Sequence, residues 1–168
     1  MVMSFEKELA ELDKIRTLES GEIEIYENIL NDLATKADNS IIQRLCSVFE
    51  DEIWEPSAGS NLMKTIFHIA KRCNLDEGML ELAKGIHVML PQGKDWAIIT
   101  YKTILNSELL MNSFINAIKK VDEETKQSTL GIFKEVRDDQ PEEYVEKVDR
   151  LILEVSNIWT YFMFSIIH

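Results

Sequence analysis

Cysteine, proline and glycine are scarce in this chain: its 168 residues include two Cys, three Pro and six Gly. Two cysteines, Cys46 and Cys73, cannot make a disulfide scaffold. Both fall on apolar stripes at helical spacing, so they read as buried free thiols of a reducing cytoplasm. No Cys pair has zinc spacing, and no Gly-rich loop or dinucleotide fingerprint occurs. His68 and Cys73 stand five apart and do not share a helical face, and His87 lies on an apolar stripe. Structural zinc needs four ligands, which leaves no metal site to propose. No Ser, Cys or His can be assembled with a base and an orienting group, so the chain is not expected to be an enzyme and needs no cofactor. Glu77 with Glu81 and Glu142 with Glu146 sit at helical spacing, but the Glu-x-x-His element of metal-binding bundles is missing, and these acids read as solvated surface.

A basic leader and a long apolar run are missing too. Residues 1–8 carry no export signal. The apolar stretch Trp159–Ile167, extended back to Leu151, is broken by Glu154, Ser156 and Asn157 and falls short of the roughly 20 residues that a membrane span requires. A soluble, cytoplasmic protein is expected.

Positive charge is in deficit: 18 Lys and Arg face 30 Asp and Glu, a net charge of −12. The imbalance is uneven, with −9 in residues 1–56, +1 in 57–110 and −4 in 111–168. Such a field repels nucleic acid and membrane surfaces and speeds association with a basic partner.

Apolar side chains at helical spacing are what the chain has in plenty. Ser4 is placed to cap a first helix with Phe5, Leu9, Leu12 and Ile15 on one face. Ser20-Gly21 ends it. A second helix, about Glu22–Lys36, buries Ile25, Ile29 and Leu33, with Tyr26 and Leu30 beside them, and gathers Glu22, Glu24 and Glu27 near its start. Asp38-Asn39-Ser40 leads into a third, with Ile42, Leu45, Val48 and Phe49. It ends in Glu50-Asp51-Glu52-Ile53-Trp54-Glu55-Pro56, followed by a loop-like Ser57-Ala58-Gly59-Ser60. Ser60 opens a fourth helix through Leu62, Ile66, Ile69 and Cys73. A fifth, about Glu77–Leu90, aligns Leu80, Ala83, His87 and Leu90. After the turn at Pro91-Gln92-Gly93, Asp95 or a neighbour caps a sixth helix with Trp96, Ile99 and Leu105. Asn106-Ser107 opens a seventh with Leu110, Phe114, Ala117 and Ile118. Asp122 caps an eighth with Leu130, Phe133 and Val136. A last helix, about Pro141–Ile166, buries Tyr144, Val148, Ile152, Val155, Trp159, Phe162 and Ile166. No stretch alternates long enough for a strand. The prediction is one all-α domain over residues 1–168: eight or nine helices in antiparallel pairs, stacked as a HEAT-like solenoid or a compact array.

Acid at the C-terminal end of a helix opposes its dipole, so Glu50, Asp51 and Glu52 look unhelpful to folding. Trp54 beside them has the composition of an interface, or else folds back into the core.

The run from Leu82-Ala83-Lys84-Gly85-Ile86 to Leu90-Pro91, then Asp95-Trp96-Ala97 and Tyr101-Lys102-Thr103-Ile104-Leu105-Asn106-Ser107-Glu108, resembles the immunity protein 30 family of bacterial polymorphic toxin systems. Residues 45–52 and the region of Lys126, Leu130 and Val136 extend the resemblance over roughly residues 45–155. It implies a cytosolic protein that binds and neutralises the C-terminal toxin domain of its own strain or a sibling, commonly a nuclease delivered by contact-dependent inhibition. Nuclease surfaces that hold phosphate are basic, so the partner is expected to be basic and to meet Glu50, Asp51, Glu52, Trp54 and Glu55, with Glu22, Glu24 and Glu27 next. No nucleic acid and no membrane is expected as a partner. A helical-repeat adaptor with an unrelated partner is the alternative.

Overall fold

The computed structural model of the chain describes residues 4–19, 21–156 and 165–167. Among these no strand occurs, and the chain is built from α1 (Glu6–Ile15), α2 (Ile23–Lys36), a 3-10 turn (Asn39–Ile41) running into α3 (Ile42–Cys46), α4 (Pro56–Cys73), α5 (Leu75–Lys84), α6 (Ile86–Met89), α7 (Lys94–Leu105), α8 (Glu108–Ile118), α9 (Glu123–Asp139) and α10 (Pro141–Val155). The all-α prediction stands.

Several helix starts follow from local side chains. Asn74 accepts from Glu77 N–H, Ser107 from Leu110 N–H and Asp122 from Thr125 N–H, each supplying an acceptor to a first turn that lacks one. Proline occupies the first turn of α4 and of α10, where a missing N–H costs nothing. Ser4 does not cap α1: its N-cap is Phe5, with no side-chain acceptor.

Antiparallel hairpins recur along the chain. Glu8 on α1 lies near enough to Lys36 at the end of α2 to act on its charge. On α5, Gly78 faces Ala70 of α4, and Arg137 of α9 pairs with Asp149 of α10 at 2.9 Å. Laterally, α2 packs beside α4 in the same direction and begins nearly in step with it, and side chains of α7 reach α4 in the same order along the chain. Glu27 meets Asn61 and Ala34 meets Arg72 across α2 and α4, and Gly59 meets Trp96 and Met63 meets Thr103 across α4 and α7. The core beneath is sealed by Tyr101, Phe114 and Phe133 from α7, α8 and α9, whose ring centroids lie 4.6 to 5.9 Å apart.

The structure corrects several sequence expectations. Ser57–Ser60 is the first turns of α4 rather than a loop, because Pro56 starts the helix and Gly59 lets the Trp96 indole lie against its backbone. The fifth helix is split at Gly85, which sits on the Cys46 sulfur. That break turns Ile86 and Met89 into the core beside Met79, Leu82 and Ala83, leaving His87 exposed, where its Nε2 meets the Thr125 hydroxyl at 2.8 Å. On α2 the buried face is Tyr26, Leu30 and Leu33, and Ile25 is 47% exposed; on α7, Ile99 is 41% exposed. Cys46 is buried, but Cys73 is exposed at the end of α4. The last long helix ends at Val155. Ile166 is 69% exposed rather than buried on its stripe, and Trp159 and Phe162 lie outside the described residues.

Candidate functional site

The link from α3 to α4 is braced from both flanks. Val48 and Phe49 are buried after α3, and the Phe49 ring stacks on Trp96 with centroids 6.0 Å apart. The chain is then tied to the turn before α7: Asp51 N–H donates to the Gln92 carbonyl at 2.8 Å. The Asp51 carboxylate in turn accepts from the backbone N–H of Asp95 at 3.1 Å and of Trp96 at 3.3 Å. These are first-turn donors of α7 with no intrahelical acceptor, so Asp51 caps a helix that begins more than forty residues downstream. On the other flank, Arg16 at the end of α1 donates to the Ser47 carbonyl and lies 3.8 Å from the Glu50 carboxylate. Trp54 N–H donates to the Thr17 carbonyl at 3.1 Å. Next to Thr17, buried Leu18 takes a left-handed φ of 53°, a conformation that costs an L-residue roughly 1–2 kcal/mol and is offset here by burial of its side chain.

Glu50 and Asp51 therefore work for the fold, contrary to the expectation that acid here opposes it. The helix they follow, α3, has already ended at Cys46; Asp51 faces the N-terminus of α7 and Glu50 the Arg16 guanidinium. Of the remaining side chains of the link, Glu52 and Trp54 are exposed, while Ile53 and Glu55 are half-buried. Ile53 packs partly against the core, while Glu52 is exposed and makes no side-chain hydrogen bond or ion pair among the described residues. Glu55 accepts from the Ser57 hydroxyl at 3.1 Å. Trp54 is 78% exposed, so of the two readings of this residue the structure takes the outward one.

The second acidic group lies at the same edge. Glu22 closes the turn into α2 by accepting from Glu19 N–H at 3.0 Å. Glu24 is exposed on the first turn, and Glu27 accepts from the Asn61 side chain of α4 at 3.2 Å. Glu27 bonded to Asn61 puts the start of α2 beside the start of α4, so the stretch 22–27 lies at the end of the fold where the 50–55 link enters α4 and caps α7. Sequence reasoning missed Arg16, Thr17 and the capping role of Asp51. Asp95, expected to cap this helix, instead lies inside its first turn with its own N–H capped by Asp51; the N-cap is Gly93, and Pro91-Gln92-Gly93 offers no Ser, Thr, Asp or Asn for the role. Nothing in the sequence marks the contacts of Arg16 and Thr17.

No three His, Cys, Asp or Glu among the described residues come together as a metal-binding group, and none of the described helices is long and apolar enough to cross a membrane. What the edge can do chemically is bind: it offers free carboxylates and an exposed indole on a fixed backbone.

The model of the family described as Immunity protein 30 matches residues 13–114. The matched span begins within α1, upstream of the resemblance over residues 45–155, and ends within α8. It holds Glu22, Glu24, Glu27, Glu50, Asp51, Glu52, Trp54 and Glu55. No curated protein and no solved structure matches the chain.

Proposed function

The chain belongs to the immunity protein 30 family, and from that premise we propose that it neutralises its cognate toxin by laying the acidic edge across a basic, phosphate-binding surface of the toxin's C-terminal domain. The toxin is a nuclease in this reading, and the complex forms in the cytoplasm. Inhibition is by occlusion and needs no catalysis or cofactor. The observation that carries the reading is that α2 and α4 begin side by side, with the acidic stretch 22–27 opening one and the acidic stretch 50–55, bearing the exposed Trp54, leading into the other. The net charge of −9 in residues 1–56 supports it, since opposite fields steer encounter toward a k_on of up to about 10⁸–10⁹ M⁻¹s⁻¹ at low salt.

The test is to express the chain with the polypeptide encoded beside it, tag that partner's C-terminal domain, and score co-purification and rescue of growth. Replacing Glu24, Glu52 and Glu55 together with Lys leaves the braced carboxylates alone and should slow association while flattening its salt dependence. Unchanged binding by that variant would reject the edge. Capture of an unrelated host protein with no toxic neighbour would favour the adaptor reading instead.

A further inference from the structure

Within the acidic edge the side chains divide into those the fold uses and those it leaves free, and the division selects a partner chemistry. Glu50 and Asp51 are committed to Arg16 and to the first turn of α7. Ile53 packs partly against the core from the turn that Ile53 N–H closes onto the Glu50 carbonyl, while Glu52 and Trp54 on either side of it are exposed. Glu55 follows at the N-cap of α4. The backbone beneath is held on both sides, by Asp51 N–H to Gln92 and by Trp54 N–H to Thr17. The backbone that carries this indole, 78% in water, is ordered by folding, and exposed tryptophan is among the side chains most often found carrying an interface.

We infer that Trp54, with Glu52 and Glu55, is the receptacle for an arginine side chain of the toxin domain, whose guanidinium stacks on the indole while pairing with a free carboxylate. This rests on the immunity reading above and names the group that the edge recognises. Charge complementarity calls for a cation. The indole face favours guanidinium over ammonium, because a planar, weakly hydrated cation can stack and still donate hydrogen bonds in its own plane to a carboxylate. A lysine offers a point charge that must shed tightly held water to do either.

The experiment measures association and dissociation rates of the purified toxin domain with the wild-type chain and with Trp54→Ala, Trp54→Phe and Glu52→Gln. The indole is exposed, so Trp54→Ala should keep the wild-type thermal midpoint, which verifies the fold. Trp54→Ala is expected to weaken binding by about 30-fold or more, mainly through faster dissociation, and Trp54→Phe to lose less. Glu52→Gln should mainly slow association at low salt. Each surface arginine of the toxin domain is then replaced by lysine and paired with Trp54→Ala. One such replacement should cost nearly as much as Trp54→Ala and add little to it. Trp54→Ala binding within twofold of wild type, or tolerance of every arginine-to-lysine change, overturns the receptacle while leaving the immunity reading standing. Failure of the wild-type chain to bind the toxin domain at all overturns both.

Discussion

Trp96 lies so close against Gly59 that a Cβ at position 59 would come within 2.2 Å of its indole ring. This contact joins α4 to α7, and Phe49, stacked on the same indole, couples both helices to the acidic link. Gly59→Ala should destabilise the protein by about 1–3 kcal/mol, since an overpacked contact with a rigid ring can relax only by shifting a helix. Equilibrium denaturation by urea measures it. A midpoint equal to wild type would mean that the two helices are not held at this distance.

The carboxylates of the link separate by their effect on stability. Asp51→Ala removes a remote helix cap and should cost about 1–2 kcal/mol, with Asp51→Asn, which keeps an acceptor, costing less. Glu52→Gln should leave stability unchanged. Thermal midpoints of the three variants decide the point: equal midpoints would show that Asp51 does not hold the start of α7.

Tyr26 is fully buried on α2, and its hydroxyl has no hydrogen-bond partner among the described residues. Burial also drives its ionisation well above the ordinary phenol range. Tyr26→Phe removes a desolvated, unsatisfied oxygen and should be neutral or stabilising by up to about 1 kcal/mol. A clear loss of stability in urea would reveal a partner for the hydroxyl.

Burial pushes the Cys46 thiol up to about 12, and the charge of Glu81 adds to the effect, whereas Cys73 is exposed. Maleimide near pH 8 should label the native protein once, at Cys73, and the urea-unfolded protein twice; peptide mass spectrometry reads both. The shift also carries a pH dependence. The folded state holds its thiol proton more tightly than the unfolded one, so the stability this provides is complete below the ordinary thiol range and is lost as pH rises toward about 12. Cys46→Ala should show a shallower alkaline loss.

What the sequence could and could not reveal divides by distance along the chain. Asn74, Ser107 and Asp122 cap helices that start next to them, and a local pattern suffices to read them. Asp51 caps α7 from across the fold, and the local sequence shows only that Pro91-Gln92-Gly93 offers no cap of its own, not which residue supplies one. The apolar faces fail more subtly. Ile25-Ile29-Leu33 and Tyr26-Leu30-Leu33 are neighbouring stripes of one helix, both at helical spacing, and only α4 packed alongside decides that Tyr26 goes in while Ile25 stays half out. Composition misled at Ser57–Ser60, where small polar residues suggest a loop and close helix packing is their actual use. The acidic residues of the candidate site were visible as charge, but their convergence depends on α2 and α4 beginning in step, a tertiary fact.

The braced link also sets which positions are free to vary. Glu50 and Asp51 can change only at the expense of the scaffold, because Arg16 and the start of α7 depend on them. Glu52 and Trp54 face water and bear little of the structure, so they can be exchanged while the framework stays intact. If the proposed edge is the toxin-binding surface, partner choice and foldability are written in different letters of the same short segment, and recognition can diversify without passing through unstable intermediates.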